Sequence, residues 1–397
     1  MTTASSRDDV RRQWILLVVL WLSGNALRLT ILAVPPVIAA IRDEFALSAT
    51  QVGLLGSVAP ALFAIAALAG SLVVARLGVR AALLGGLALV AAGSALRGLS
   101  GNYIELLLTT TLMCVGVAIM QPVMPSAVRE WLPAKISLAT AVYTNGLLVG
   151  EVFPVLLTIP VVLPVVSGSW RGSLVVWSIV VAAITLVVYL LAPRSPRRPA
   201  GAAGRLQRWI PDWRSGLVWR LGVAIGCINT IYFSTNTFIP IYLASAGRSD
   251  LIAGALTALN FGQLPASALL LVVARRLERR AWPYLASGVL SSIALAGLVL
   301  HVGTETIVWA ALLGFSVAAG LILGLTLPAA LCRPEDVART AAGAFTISYG
   351  GALMLAIASG AAWDLSGVPA LAFVPMGLCA VGLMVIAGLM RTKGELR

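Results

Sequence analysis

Residues 14–41 read WILLVVLWLSGNALRLTILAVPPVIAAI, and this stretch decides the class of the fold. It contains a single charged residue, Arg28, and it is longer than the about 20 apolar residues that a helix needs to cross a bilayer. A secretory signal peptide also follows basic residues such as Arg11 and Arg12, but this run is too long and has no small-residue cleavage site. We therefore interpret it as a first membrane-spanning helix that is not cleaved.

The rest of the chain repeats this pattern. Hydrophobic residues make up 59% of the 397 residues and charged residues only 11%, whereas a soluble domain carries about 25% charged residues. This composition excludes ordinary soluble enzymes and disordered chains. Twelve apolar runs are separated by charged or turn-forming residues, and each predicts one membrane-spanning helix. The predicted spans are residues 14–41, 50–74, 81–97, 104–128, 137–165, 171–192, 217–243, 251–274, 282–301, 304–331, 338–363 and 368–390.

The basic residues predict an orientation. With twelve spans and the N-terminus inside, 23 of the 28 Lys and Arg residues fall on the inner side. The outer side receives only Arg42, Arg97, Arg171 and Arg248. Short cytoplasmic loops carry an excess of Lys and Arg, so both termini are predicted to be cytoplasmic, with the protein in the cytoplasmic membrane. In a soluble protein the net charge of +13 would indicate binding to nucleic acid. Here we interpret the basic excess as the signal that sets the orientation of the protein in the membrane, with anionic membrane lipid as the partner.

The longest loop, residues 193–216, is rich in Pro, Gly and Arg and lies near the middle of the chain. We predict that it links two six-helix bundles, residues 1–192 and 217–397. Matches at a near-constant offset indicate an internal repeat: Asn25 with Asn229, Pro36 with Pro240, and Tyr143 with Tyr349. The predicted fold is an all-α membrane protein of twelve transmembrane helices in two pseudo-symmetric bundles, and parallel repeats of this kind place a ligand site where the bundles meet.

Two charged residues are predicted near the centre of a span, Arg28 in the first and Glu151 in the fifth. A charge there costs about 2.5 to 3.5 kcal/mol on the insertion scale, so it needs a partner or a function. The guanidinium of Arg28 stays charged and presents a planar fork of donors that matches a carboxylate or nitro group, and Asn25 lies one helical turn before it. Arg28 is therefore the leading candidate to bind an anion or a nitro group. The alternative is a structural ion pair with Glu151.

Glu151 itself has two interpretations. Burial favours a protonated carboxyl, whereas a nearby arginine favours the ionised form. Glu151 therefore either carries a coupling proton or serves as a permanent counter-ion, and the sequence leaves both open. Pro154, Pro160 and Pro164 follow it and predict a bent helix beyond the acid.

Neutral polar side chains supply the other candidate ligands. On the seventh span, Asn229, Tyr232 and Asn236 recur at spacings of three and four residues and so share one helical face. The repeat aligns Tyr232 with Arg28, which places a neutral donor at that position in the second half. The remaining candidates are Gln121, Tyr143, Asn145, Asn260, Gln263 and Tyr349. For any one of them, a hydrogen bond between helices is an equally good interpretation.

No cofactor or metal site is predicted. The single histidine, His301, has no Cys or second His nearby, which argues against zinc. The cysteines are widely spaced and indicate no disulfide framework: Cys114, Cys227, Cys332 and Cys379. The chain has no Gly-rich nucleotide-binding loop, which argues against ATP-driven transport. Three runs of small residues predict close helix packing: Gly85 and Gly86, Gly146 to Gly150, and Gly350 and Gly351. Trp14 predicts an interfacial anchor.

Twelve spans, a basic central loop and two parallel halves resemble the major facilitator superfamily of secondary transporters. The superfamily's signature after the second span is partly present, with Ala75 in place of its acid: Ser71, Val73, Ala75, Arg76, Gly78 and Arg80. Three further motifs resemble the cyanate and 2-nitroimidazole transporter branch. They are Asn25, Leu27, Arg28, Pro35 and Pro36 with Leu47, Ser48 and Gly53; Gly93 to Arg97; and Gly116 to Ile119 with Pro125, Pro133 and Tyr143. The resemblance implies transport of a small polar or anionic compound.

We therefore expect a secondary transporter, functional as a monomer, that moves a small anion or compact polar heterocycle by alternating access, with proton coupling through Glu151 left open. A multidrug/proton antiporter is the nearest alternative, but an aromatic content of only 7% and a central arginine favour a small polar substrate. A membrane-embedded enzyme needs a cluster of His, Asp or Glu at membrane depth, and a receptor usually adds a soluble signalling portion. The sequence favours neither.

Overall fold

A computed structural model of the chain describes residues 3–193, 211–277, 280–333, 336–392 and 396, and their side chains except at residues 3–9, 66–76, 137, 271, 272, 274, 275, 329 and 338. Most of the predicted linker, residues 193–216, lies outside the described residues. So do the side chains of the signature residues Ser71, Val73, Ala75 and Arg76.

Within these ranges the protein is helical and has no strand. Lipid offers no hydrogen bonds to a backbone, so a chain that crosses it satisfies its own amide groups within helices. The helices follow the twelve predicted runs in order. The first six runs form α1 (Thr3–Leu32) with α2 (Ile38–Phe45), α3 (Ala49–Leu77), α4 (Val79–Arg97), α5 (Tyr103–Trp131), α6 (Ile136–Leu157) with α7 (Leu163–Val165), and α8 (Trp170–Leu191). The last six form α9 (Gly216–Ser245), α10 (Ile252–Phe261) with α11 (Gln263–Leu277), α12 (Trp282–Leu300), α13 (Glu305–Leu331), α14 (Val337–Ser366) and α15 (Val374–Thr392). The predicted all-α class is confirmed.

Several helices differ from the predicted runs for local reasons. α1 begins at Thr3 rather than at residue 14, because hydropathy marks the apolar part of a helix and basic residues continue it equally well. Beyond Glu151, α6 passes into a π-helical turn at Thr158–Val162. Pro160 lies in this turn and has no N–H for the regular ladder, so the irregularity lies among the predicted prolines. The eighth run is interrupted at Gly262, between α10 and α11.

The helices have the length and surface of membrane spans. Over the described residues, ten helices are long and apolar enough to cross a bilayer, and Ala49–Ile65 is a shorter apolar helix. Large apolar side chains lie exposed along the helices, among them Leu108, Ile179, Leu190, Val308 and Leu378. An exposed apolar surface of this extent is typical of contact with lipid. The protein is therefore a multi-pass membrane protein.

Contacts divide the chain into two compact units. The N-terminal unit comprises Met1–Val34 and Ala69–Arg205, and the C-terminal unit comprises Pro35–Leu68 and Leu206–Arg397. In the N-terminal unit, α1 packs against α6 and α8, and α4 packs against α5 and α8. In the C-terminal unit, α9 packs against α14 and α15, and α12 packs against α13 and α15. Equivalent helices thus pack in equivalent pairs, as an internal repeat requires.

Packing assigns Pro35–Leu68 to the same unit as the second half of the chain. The predicted bundle boundaries, 1–192 and 217–397, stay a prediction. Contacts at the start of α3 contribute to this grouping of Pro35–Leu68 with the second half. The carboxylate of Asp364, near the end of α14, accepts hydrogen bonds from Ala49 N and Thr50 N, each at 2.8 Å, and from Thr50 Oγ1. An acid at the first amides of a helix satisfies groups that have no partner within the helix. Asp364 therefore attaches α3 to α14.

Candidate functional site

The contact between α1 and α6 is made by glycines. A Cβ on Gly146 would overlap the carbonyl oxygen of Trp21, and a Cβ on Gly150 would overlap that of Asn25. Glycine at these two positions therefore lets the helix backbones touch, as small residues do between membrane helices. The close packing predicted for the small-residue runs is confirmed at Gly146 and Gly150. It is wrong at Gly85, Gly350 and Gly351, because these glycines face open space and a Cβ there would have no described neighbour within 4 Å.

This approach brings the two central charges together. Arg28 Nε lies 3.3 Å from Glu151 Oε1, and the two side chains are 15% and 7% exposed. Each also has interactions besides this one. The ion pair that the sequence allowed is therefore formed between α1 and α6. The pairing offsets part of the cost of burying two charged side chains. The exposed fraction of the Arg28 side chain shows that the pair is not sealed within the protein.

Asn25 adds a donor beside this pair. It is buried one helical turn before Arg28, and its side-chain Nδ2 has no hydrogen-bond partner among the described residues. A buried donor left without an acceptor costs about 1–3 kcal/mol. Such an atom suits a bound molecule that brings its own acceptor, so Asn25 and Arg28 form a donor set on one face of α1.

Three other candidates of the N-terminal unit, Gln121, Tyr143 and Asn145, lie outside this set. Gln121 on α5 and Tyr143 on α6 are both half-buried. The hydrogen bonds resolved over the described residues do not join either of them to Arg28 or Glu151. Asn145 on α6 accepts a hydrogen bond from Trp21 Nε1 at 2.9 Å. This bond joins α6 to α1, as the inter-helix interpretation of the polar candidates allowed.

In the C-terminal unit, the predicted stripe on α9 forms part of a buried network centred on Asn260. Tyr232 OH donates to Asn260 Oδ1 at 2.9 Å, and Asn260 Nδ2 donates to Asn236 Oδ1 at 2.9 Å and to Leu256 O at 2.9 Å. Gln263 Nε2 donates to the same Asn260 oxygen at 3.4 Å. An asparagine side chain has two donors and two acceptor positions, so Asn260 uses its full capacity within the protein. It joins α9 to α10 and α11 on either side of their break.

Asn229 and Tyr349 have other surroundings. Asn229 Nδ2 donates to Ser348 Oγ on α14 at 2.8 Å, a partner that the sequence did not suggest. Tyr349 lies among aromatic rings, edge-on to Phe63 and Phe233 with centroids 5.3 and 6.5 Å away. Four of the six candidates in this unit therefore share one network, and these two do not join it through the hydrogen bonds resolved over the described residues.

Arg97 is a buried charge whose burial the sequence did not indicate. The count of basic residues placed it at the outer end of the third span, and in the structure it is only 1% exposed at the end of α4. Its Nη2 donates to Thr30 O at 2.9 Å and to Ser94 Oγ at 3.0 Å. Thr30 lies in the last turn of α1, two residues beyond Arg28, and a cation there stabilises the helix end. The sequence carries no signal for this contact, because an arginine at the end of an apolar run is normally interfacial.

No group of three potential metal ligands occurs within the described ranges. All four cysteines are free. Cys227 on α9 and Cys379 on α15 are both buried, and they lie on two helices that pack against each other.

A family model for the Major Facilitator Superfamily matches residues 16–262. The chain belongs to this superfamily. Membership makes it a transporter rather than an enzyme, and it confirms the resemblance found in the sequence.

Two curated relatives of this superfamily member come from Escherichia coli (strain K12). The 2-nitroimidazole transporter is 25% identical over 331 residues, which cover 82% of this chain and 81% of the relative. The cyanate transport protein CynX is 27% identical over 380 residues, 94% of this chain and 96% of the relative. The solved structure of a mutant of the nucleoside transporter NupG has a TM-score of 0.75 at 12% identity, covering 95% of this chain and 99% of that one. This last likeness supports the fold.

Proposed function

We propose that this transporter moves a small anion or a compact nitro-heterocycle across the cytoplasmic membrane by alternating access, with Arg28 as the residue that binds its charged or oxygen-bearing group. The buried Arg28–Glu151 pair carries this proposal. The named substrates of two relatives, cyanate and 2-nitroimidazole, are a small anion and a ring bearing a nitro group. Both classes present atoms that accept hydrogen bonds from a guanidinium.

The donor set on α1 suits such a substrate. A guanidinium has five N–H donors in a fixed fork and keeps its charge at all accessible pH values. Asn25 adds an amide N–H one turn away. A compact group that accepts hydrogen bonds from both residues satisfies the buried Nδ2 of Asn25 and the cation together, and a neutral apolar molecule satisfies neither.

The contact with Arg28 favours the counter-ion role for Glu151. A cation 3.3 Å away stabilises the ionised carboxylate, which holds Arg28 in place when no substrate is bound. An incoming anion then competes with this carboxylate for the guanidinium. This competition keeps the affinity for the substrate moderate, and a moderate affinity allows the substrate to be released on the other side of the membrane.

We propose that the hydrogen-bond network around Asn260 in the C-terminal unit provides uncharged groups that bind the substrate during transport. Asn260 and Gln263 organise it, since the capacity of Asn260 is used within the protein. Tyr232 and Asn236 are the members proposed to contact substrate: a phenol oxygen accepts as well as donates, and an amide has a second N–H.

The test is uptake and binding by purified protein in proteoliposomes, with cyanate and 2-nitroimidazole as probes. We expect Arg28→Gln to abolish uptake and substrate binding. Arg28→Lys should retain part of the activity, since it keeps the charge and loses the fork. Arg391→Gln, which removes an exposed guanidinium at the end of α15, is the matched control and should behave as wild type. Unchanged substrate affinity in Arg28→Gln would reject the assignment of Arg28.

The same assay over a range of pH separates the two roles of Glu151. As a counter-ion, Glu151→Gln changes substrate affinity and leaves the shape of the pH profile of uptake unaltered. If the substitution instead removes the pH dependence, Glu151 carries the coupling proton, and the counter-ion role is wrong.

A further inference from the structure

A cavity of about 300 Å³ lies at the start of the apolar part of α1, against the end of α5 and the turn that follows it. Its walls come from both segments and include Arg12, Gln13, Leu16, Trp131 and Lys135. The transport mechanism proposed above does not use this cavity. All of its residues belong to the N-terminal unit.

The polar side of the cavity consists of donors. Arg12 and Lys135 are both exposed to solvent, and Lys135 Nζ donates to Gln13 Oε1 at 2.8 Å, which joins α1 to the turn after α5. Among the side chains that the structure describes, no acidic residue lines the cavity. Glu130, one residue before Trp131, is not part of its wall. Two cations without an acid in the wall make the cavity attractive to an anion.

Trp131 provides a second, independent indication. It lines the cavity and is 8% exposed, and its indole Nε1 has no hydrogen-bond partner within the described part of the chain. A buried indole N–H normally has an acceptor. Trp131 therefore brings a donor without an acceptor to the wall that also carries two cations, and an anion with several oxygen atoms can accept from such a set.

The position of the cavity favours a lipid as the source of that anion. The neighbouring Trp14 is 66% exposed, as expected of an aromatic residue at the membrane–water interface. Leu16 adds an apolar wall. Basic pockets at this depth, between helices on the cytoplasmic side, suit the headgroups of anionic lipids.

We propose that the cavity binds the phosphate group of an anionic lipid, with Arg12 and Lys135 as its charged ligands and Trp131 as a neutral donor. The proposal does not depend on the substrate or on Arg28. Only the assignment to the inner leaflet uses the orientation predicted from the charge distribution.

The test measures binding of phosphatidylglycerol to the purified full-length protein in neutral detergent by native mass spectrometry, with phosphatidylcholine as the uncharged lipid and sodium phosphate as the lipid-free anion. A basic residue near an anionic membrane contributes about one factor of five to affinity, so Arg12→Gln with Lys135→Gln should bind phosphatidylglycerol roughly 30-fold more weakly than wild type. Arg11→Gln with Arg129→Gln is the matched control, because it removes the same charge from exposed neighbours that do not line the cavity.

The control variant should bind phosphatidylglycerol as wild type does, and Trp131→Phe should bind it more weakly. Equal losses in the two double variants would mean diffuse surface attraction and would overturn the proposal. Wild-type affinity in Trp131→Phe would remove the indole from the site and overturn the proposed ligand set. Competition by sodium phosphate at the cavity, with phosphatidylglycerol no better than phosphatidylcholine, would overturn the lipid source.

Discussion

The Arg28–Glu151 pair makes a stability prediction that is separate from transport. Replacing Arg28 by Gln removes the cation and leaves a carboxylate whose side chain is only 7% exposed. Glu151→Gln leaves the converse, an arginine without this acid. Each single variant should therefore be clearly less stable than wild type. The double variant Arg28→Gln with Glu151→Gln removes both charges and should recover most of the loss.

The size of the effect follows from the geometry. Two unit charges 3.3 Å apart attract by about 5 kcal/mol at an effective dielectric constant of about 20. Part of this attraction offsets the cost of burying both ions, and removing one partner of a buried pair costs about 3–5 kcal/mol. We expect that range for each single variant. A neutral pair of similar volume should lie within about 1 kcal/mol of wild type, because replacing a buried ion pair is often close to neutral.

The assay is equilibrium unfolding by SDS titration in mixed micelles, followed by tryptophan fluorescence. The control is the Arg248–Asp250 pair, which lies between α9 and α10 at 3.0 Å and is far more exposed. The hydrogen bond from Arg248 lowers the pKa of the Asp250 carboxyl below its ordinary value. The small stabilisation that this pair provides is therefore fully present above the ordinary carboxyl pKa, and it is lost as the pH falls through the lowered pKa of Asp250. Arg248→Gln should change stability little at neutral pH.

Two outcomes would refute this reasoning. If both single variants are as stable as wild type, the pair is solvated or absent. If the losses of the single variants simply add in the double variant, the two side chains do not interact, and each loss has a separate cause. Transport is expected to separate from stability in this series: the double variant is stable and still fails to bind substrate.

Two further predictions concern helix contacts. Gly150→Val should push α1 away from α6 through the carbonyl of Asn25, which lowers thermal stability and uptake, whereas Gly85→Val, at a site with no neighbour within 4 Å, should leave both unchanged. Equal behaviour of the two variants in a thermal unfolding and uptake assay would argue against a backbone contact. Asp364→Ala should destabilise the protein by about 2 kcal/mol, the upper end for a helix cap, while the exposed Asp43→Ala should not. Matching SDS unfolding curves for these two variants would mean that Asp364 does not hold α3.

The class of the fold was accessible from the sequence because hydropathy is a local property. Residues 14–41 alone predict a membrane helix, and the superfamily that the twelve spans, the basic central loop, the two parallel halves and the motifs resemble is confirmed. Arg28 and Glu151 were also accessible, since a charge within an apolar run is visible without knowledge of its neighbours. Their assignment as substrate ligand and counter-ion stays a proposal.

The partners of these charges were not accessible in the same way. The sequence allowed a pair between Arg28 and Glu151, but the 3.3 Å contact depends on Gly146 and Gly150, which bring α1 and α6 together. The burial of Arg97 was likewise not accessible, because its position along the chain gives the membrane side of a residue and not the helices around it.

The sequence by itself determined that the chain crosses a membrane many times, where its helices lie, and which charges fall within them. Tertiary structure alone decided that Arg97 holds the end of α1, that Asp364 caps α3, and that Tyr232 donates to Asn260. The physical reason is that burial of an apolar run depends on its own residues, whereas a contact between distant residues depends on the rotation and approach of whole helices. Many side chains along both helices set that packing together, and no short stretch of sequence encodes it.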